Sequence, residues 1–306
     1  MITDKKIGVL MGGNSFEREV SLKSGAAVYR NLSDLGYNVV SIDVGRDIPF
    51  ILREKEVEFA FLTLHGGYGE NGTIQGLLEL MGIPYTGSGV LASALAMDKI
   101  ASKKIFMYHQ LPIPGFRIFS NNVSSHEINV DFSLPWVVKP AFEGSSIGVS
   151  IVRKKDQIGE ALKHAFYYGN TLIVEQYIQG QEVQVGILGN RALGGVEVRP
   201  SVEFYNYEAK YTSGLTNYVI PPKVKIDVYQ KAEQISLQAH NSLGCSGVTR
   251  VDLIIDETGN PYLLEVNTIP GMTETSLIPK IADYAGMTFS EILEEMIRLA
   301  FEKPRA

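Results

Sequence analysis

Arg250-Val251-Asp252, a strand-like run, and then Leu264-Glu265-Val266-Asn267-Thr268-Ile269-Pro270-Gly271-Met272-Thr273 form the stretch on which the chain is read. Residues two apart on a strand share a face, so Arg250 pairs with Asp252 and Glu265 with Asn267. Between them Asp256-Glu257-Thr258-Gly259-Asn260 reads as a turn, so the two pairs are expected side by side on one hairpin. One patch then carries two carboxylates, a carboxamide and a guanidinium. Oxygen donors of this kind suit Mg²⁺, which takes one or two carboxylates and leaves room for substrate phosphates. A hairpin with a polar, solvated face would also produce the pattern. It explains less well why Glu265 lies between Leu263-Leu264 and Val266, where a carboxylate needs a partner or a metal.

An acidic strand closing on Glu-Val-Asn-Thr-x-Pro-Gly-Met-Thr resembles the metal-binding strand of ATP-grasp ligases, and in particular the D-alanine–D-alanine ligase family. The resemblance runs almost the length of the chain, in order: Gly12-Gly13-Asn14-Ser15-Phe16-Glu17-Arg18-Glu19-Val20-Ser21, Leu64-His65-Gly66, Gly87-Ser88-Gly89 through Met97-Asp98-Lys99, Lys139-Pro140 with Glu143-Gly144-Ser145-Ser146, and Tyr207-Glu208-Ala209-Lys210-Tyr211. One such motif is weak evidence, whereas this many in register is specific. The resemblance implies an α/β (α+β) ATP-grasp protein. A Rossmann-like, parallel-sheet domain would span residues 1–96, a central ATP-grasp subdomain 97–178, and a C-terminal subdomain with the metal site and a lid loop 179–306.

Composition sets bounds. The 306 residues are 45% hydrophobic, enough for a packed core and two or three domains. The net charge of −6 without a basic stripe argues against a nucleic-acid partner, so anionic substrates need local lysines and backbone amides. A single Cys245, read as a small buried thiol, excludes an internal disulfide and suits a reducing compartment. No apolar run reaches the roughly 18 residues of a membrane span. Met1 to Lys6 lead straight into Ile7–Met11, too short for a signal sequence, so a cytoplasmic location is expected.

Strand-like runs at Ile7–Met11, Val39–Val44 and Phe59–Leu64, with a helix from about Phe16 to Leu35, predict a parallel sheet. Its ligands would lie at the strands' carboxyl ends, where Gly12-Gly13 and His65-Gly66-Gly67 fall. Farther on, strands at Trp136–Lys139, Val149–Val152 and Leu172–Glu175 surround a helix from about Asp156 to Tyr168. A helix from Asp227 presents Val228, Ala232, Ile235 and Ala239, and the last helix presents Phe289, Ile292, Met296 and Leu299.

No Gly-Lys dipeptide exists to make a Walker A loop, and Gly12-Gly13 lack the third glycine of a dinucleotide fingerprint. Asp43 is therefore not expected to hold a ribose. The ATP-grasp pattern fits instead. Lys99 and Lys139 would meet phosphates as point charges, and Glu143 to Gly148, including Ser146, would close over them with an amide cradle. Lys139 could also be a solvated strand-end lysine, but Val137-Val138 and Pro140 point to a fixed, inward position. By resemblance, Glu175, Gln176, Tyr177 and Ile178 form the linker that meets adenine, with Glu182 near the ribose. The family often has lysine where Gln176 stands.

Glu17 lies three residues after Asn14, so the two could form a capping box. The resemblance instead gives Glu17 the ammonium group of a first D-alanine, in a network with Ser145 and Tyr211. His65 is given a supporting role in orienting substrate, and His109, His126, His164 and His240 read as surface or helix positions. The implied reaction activates the first D-alanine as an acyl phosphate and joins the second by its amine. Asp252, Glu265 and Asn267 would hold Mg²⁺ or Mn²⁺, two ions in all. Arg250 and the Gly271 amide would steady the oxyanion, Ser276 and Leu277 would meet the second D-alanine's carboxylate, and Lys210 would bind substrate. Phe204 to Asn217, with Gly214 as hinge, would be the lid that excludes water. The product would feed peptidoglycan synthesis, and a homodimer is expected by resemblance alone. Alternatives are another ATP-grasp carboxylate–amine or carboxylate–thiol ligase, a D-alanine–D-lactate ligase, and a non-catalytic nucleotide-binding regulator.

Overall fold

The computed structural model describes residues 4–120, 123–201, 214–273 and 276–302. The first sheet is parallel, with β2 (Val39–Asp43), β1 (Ile7–Met11) and β3 (Phe59–Leu62) in the order β2-β1-β3. Every residue of β1 is buried, as a strand covered on both faces must be. Ile7, Val9 and Met11 pack with Val28 and Leu32 of α1 (Arg18–Asp34), and Leu10 packs with Ile42 and Leu62 on the opposite face. At the carboxyl ends, Ser21 ties the sheet to α1: it accepts from the Gly12 amide at 2.8 Å and donates to the Thr63 carbonyl at 2.9 Å. Asp43 is held by both Arg18 terminal nitrogens, at 2.7 and 2.5 Å, and the Arg18 hydrogen bond keeps its carboxyl below the usual range. A Cβ on Gly12, whose φ is +78°, would sit 2.0 Å from Asp43 Oδ1.

α2 (Ile48–Glu54), α3 (Thr73–Leu80), α4 (Val90–Met97) and α5 (Lys99–Tyr108) lead to an antiparallel sheet. Its strands β4 (Phe116–Ser120), β5 (Trp136–Pro140), β6 (Ser150–Val152) and β7 (Thr171–Gln176) run in the order β4-β7-β5-β6 under α6 (Ile158–Phe166). The helix expected from Asp156 is shorter and follows a 3₁₀ turn at Lys155–Gln157.

The third sheet joins β8 (Gly180–Leu188), β9 (Arg191–Pro200), β10 (Thr216–Val219), β11 (Val248–Asp256) and β12 (Pro261–Asn267) in the antiparallel order β10-β9-β8-β11-β12. On one face lies α7 (Ile226–Ser242), which buries Ala232, Ile235 and Ala239 as expected, together with Ser236 and His240. His240 is therefore a core residue, its Nδ1 2.8 Å from Thr249 Oγ1, and burial pushes its pKa down to about 4. Cys245 is half-buried.

The chain closes on itself through α8 (Leu277–Tyr284) and α9 (Phe289–Glu302). The buried stripe of α9 is Ile292, Leu293, Met296, Ile297 and Ala300, with Leu299 on its flank, because two layers meet there. Phe301 stacks on Phe59 of β3 at 5.0 Å, and Tyr37 donates to Glu294 at 3.0 Å. Residues of β1, β3, β9, α8 and α9 thus share one core. No helix among the described residues is long and apolar enough to cross a membrane.

Candidate active site

Across the β11–β12 hairpin Arg250 pairs with Asn267 and Asp252 with Glu265, so the four polar side chains lie on one face. The register slips between Asp252 and Leu253, leaving Leu264 as an extra residue in β12. That bulge lets Leu263 and Val266 both enter the core while Glu265 keeps to the polar face. Arg250 grips Asp252 through two nitrogens at 2.8 and 2.9 Å, with Asp252 buried beneath it. Lys99 lies 3.4 Å from Glu265 and donates to the Glu143 carbonyl at 2.6 Å, joining the hairpin to the glycine-serine loop. Asn267 accepts from the Ile269 amide at 3.1 Å, which shapes the exit toward Pro270 and Gly271.

Among the described residues no group of three or more His, Cys, Asp or Glu is arranged to hold a metal ion. The two carboxylates and the Asn267 carbonyl oxygen suit a cation that completes its shell with phosphate oxygens and water, as Mg²⁺ does.

The capping box at Asn14 does not form: α1 begins with Glu17 at its cap, and no side chain caps the helix. The Glu17 carboxylate instead accepts a hydrogen bond from Ser145 across the cleft. Ser145 and Ser146 both adopt left-handed backbone, with φ of 51° and 60°, a conformation non-glycine residues take only when their surroundings impose it. His65 is buried, its carbonyl accepts from Ser15 at 2.5 Å, and its Nε2 lies 3.3 Å from Ser24 Oγ. Ser24 also accepts from the Met272 amide at 3.2 Å, tying His65 to the loop that carries Gly271. Burial lowers the His65 pKa and keeps the ring neutral, although the nearby Glu17 charge acts in the other direction. Ser276 bonds Thr273 Oγ1 at 2.7 Å, and a Cβ on Gly271 would stand 2.7 Å from Ser276 Oγ.

Glu17, His65, Lys99, Ser145, Arg250, Glu265, Asn267, Gly271, Ser276 and Leu277 line one cleft of about 910 Å³. Lys139, Glu175, Tyr177 and Ile178 are not in its wall; they sit on the second sheet and on the linker that carries β7 into β8. There Lys139 pairs with Glu175 at 2.8 Å, and the Tyr177 amide bonds the Pro135 carbonyl at 3.2 Å. Glu182 accepts from Gln184 at 2.9 Å on β8. Lys210, Tyr211 and the expected lid, apart from residues 214–217, lie outside the described residues.

Two residues escaped the sequence reading. Glu70 enters the cleft, accepts from the Gly66 amide at 2.5 Å, and has its pKa pushed up to about 8 by burial and then by the Glu17 charge. Its signal was a carboxylate inside the glycine-rich run after His65. Gln184 is buried beside Asp252 on β8, and its spacing of two from Glu182 was the available clue.

Comparison with known proteins follows the same outline. The family model described as the D-ala D-ala ligase C-terminus matches residues 107–298, and that of the D-ala D-ala ligase N-terminus matches 6–57 and 48–88. The chain is 52% identical to the D-alanine–D-alanine ligase of Geotalea uraniireducens, covering 97% of this chain and 96% of the relative. It is 50% identical to that of Geobacter sulfurreducens, with 95% and 93% covered. A solved D-alanine–D-alanine ligase from Bacillus anthracis, complexed with ATP, superposes with a TM-score of 0.85 at 35% identity over 97% of each chain. The VanG D-Ala:D-Ser ligase of Enterococcus faecalis gives 0.84 at 30% identity over 97% and 99%.

Proposed function

The chain belongs to the D-alanine–D-alanine ligase family, and from that premise we propose that it joins two D-alanine molecules into D-alanyl-D-alanine, cleaving ATP to ADP and phosphate. The observation that carries the reading is one cleft lined both by the hydrogen-bonded Glu17 and Ser145 and by Arg250 and Gly271. An ammonium group fits the Glu17 carboxylate, and a developing oxyanion fits the Arg250 guanidinium and the Gly271 amide.

Glu17, steadied by Ser145, holds the ammonium group of the first D-alanine, with Tyr211 completing that contact. One carboxylate oxygen of this substrate attacks the γ-phosphorus of ATP. A new P–O bond forms, the bond to the β-phosphate bridge breaks, and ADP leaves. Lys99, Lys139 and the amides of the loop from Glu143 through Ser146 to Gly148 hold the phosphate charge. Glu175, Tyr177, Ile178 and Glu182 receive the nucleoside. Mg²⁺ or Mn²⁺, two ions bound by Asp252, Glu265 and Asn267, would neutralise the phosphoryl oxygens.

The second D-alanine sits with its carboxylate toward Ser276 and Leu277, and Lys210 contacts substrate. Its amine attacks the acyl phosphate carbonyl, the oxyanion rests on Arg250 and the Gly271 amide, and phosphate departs as the amide forms. Each well-placed donor is worth roughly 3–4 kcal/mol. His65, kept neutral by burial, orients substrate without adding charge.

We assign residues 1–96, 97–178 and 179–306 to the three domains, and propose a cytoplasmic homodimer supplying peptidoglycan synthesis. The test is phosphate release from ATP with D-alanine, L-alanine, D-serine, D-lactate and no acceptor in parallel. Release with D-alanine and formation of the dipeptide support the reading. A preference for any other acceptor overturns it.

A further inference from the structure

Lys103 takes no part in the chemistry above and is 0% exposed. Asp98 caps α5 through the Ile100 and Ala101 amides at 2.9 and 3.0 Å, fixing the helix so that Lys99 and Lys103, one turn apart, both point inward. Lys99 reaches the cleft. Lys103 turns the other way, to within 2.8 Å of Glu175 Oε1 and 5.5 Å of the Phe116 ring centre. The second Glu175 oxygen is 2.8 Å from Lys139. Glu175 itself is buried in the middle of its sheet, paired with Phe116 on one side and Val137 on the other.

One buried carboxylate therefore faces two lysine amines, a surplus of one over a single ion pair. A structural ion pair needs only one counter-ion, and each added buried ammonium is costly to desolvate. The surplus has a use if one of the two lysines has a second partner. Lys139 is placed for that role, at the end of β5 just before the glycine-serine loop, whereas Lys103 is sealed behind it. We infer that Lys103 is the resident counter-ion of Glu175, a positioning residue that lets Lys139 leave this carboxylate for a nucleotide phosphate. Without Lys103, nucleotide binding would strand Glu175 uncompensated in the interior. This role rests on the proposed nucleotide site at Lys139.

The test is calorimetric binding of ATP with Mg²⁺ and no amino acid, in the parent, Lys103→Met, Glu175→Gln and the double variant, a double-mutant cycle. Lys103→Met should weaken nucleotide binding at least tenfold in the parent background and less than threefold in the Glu175→Gln background, where no charge is left to neutralise. Equal losses in both backgrounds mean that Lys103 only fills space, and overturn the inference. Should Lys103→Met fail to fold, the double variant alone decides: affinity within threefold of Glu175→Gln supports the role, and a tenfold deficit overturns it. A parent protein that binds no nucleotide would sink the proposed function itself. Binding with equal losses would sink only this role.

Discussion

Asp252 and Glu265 stand directly opposite each other across a hairpin, at the step just before the strand pairing slips by one residue. Each already faces a cation of the protein: Arg250 grips Asp252 at 2.8 and 2.9 Å, and Lys99 stands 3.4 Å from Glu265. Two carboxylates side by side repel, so this pair is held together by the positive charge around it. Replacing Glu265 by Gln keeps the shape and removes one charge. Turnover should fall more than tenfold at saturating Mg²⁺, over about 1.4 kcal/mol of transition-state stabilisation, with melting close to the parent's. Activity above a tenth of the parent's would remove Glu265 from the phosphate-handling site.

Ser145→Ala deletes the hydroxyl that donates to Glu17. A hydrogen bond to a charged group contributes about 1.5–3 kcal/mol, roughly ten- to a hundredfold in affinity. The apparent KM for the first D-alanine should rise by that factor, while that for ATP moves less than about threefold. If both constants move together, Ser145 acts on the loop as a whole rather than through Glu17.

Glu70, whose pKa stands near 8 against an ordinary 4.5, predicts a pH signature. A carboxyl that holds its proton more tightly folded than unfolded stabilises the fold fully below about pH 4.5. That contribution is lost as pH rises toward about 8 and changes no further above it. Glu70→Gln has no proton to lose. Its melting temperature relative to the parent's should therefore climb between about pH 5 and pH 8, read by calorimetry on the ligand-free protein. Parallel curves would show that Glu70 is ionised throughout.

Gly271→Ala places a methyl group 2.7 Å from Ser276 Oγ. Ser276 must shift off Thr273, and overpacking of this kind costs about 1–3 kcal/mol. The KM for the second D-alanine should rise about tenfold or more, with nucleotide affinity unchanged by calorimetry. An unchanged acceptor KM would detach the Gly271–Ser276 loop from acceptor binding.

Much of this arrangement could be read from the chain because it rests on spacing. The i, i+2 alternation at Arg250/Asp252 and Glu265/Asn267 survives in the paired strands, and the apolar runs of β1 and β3 mark a sheet covered on both faces. The helix at Ile226–Ser242 followed its apolar period closely. What spacing could not show was partnership between distant segments. By spacing Glu17 could cap its own helix; its link to Ser145, 128 residues away, came from the resemblance alone, and the folded chain bonds the two. Nothing in the spacing around Lys103 marks Glu175, which reaches it from another strand. Glu70 and His240 owe their shifted proton affinities chiefly to burial, which spacing does not show.

The stacking of Phe301 on Phe59, and the core shared by α9 with β1 and β3, bear on how the chain is made. A ribosome releases the first sheet early, yet its inner face, with Ile7, Val9, Phe59 and Phe61, is covered at first only by Val28 and Leu32 of α1 and gains the rest of its cover when the last helix emerges. Until then the nascent chain carries a sticky apolar surface, the condition under which incomplete chains aggregate. Synthesis halted before Phe289 should leave insoluble product. The same end-to-beginning closure means that a fragment of the first ninety residues, though it contains a whole sheet, lacks the partner that would keep it in solution.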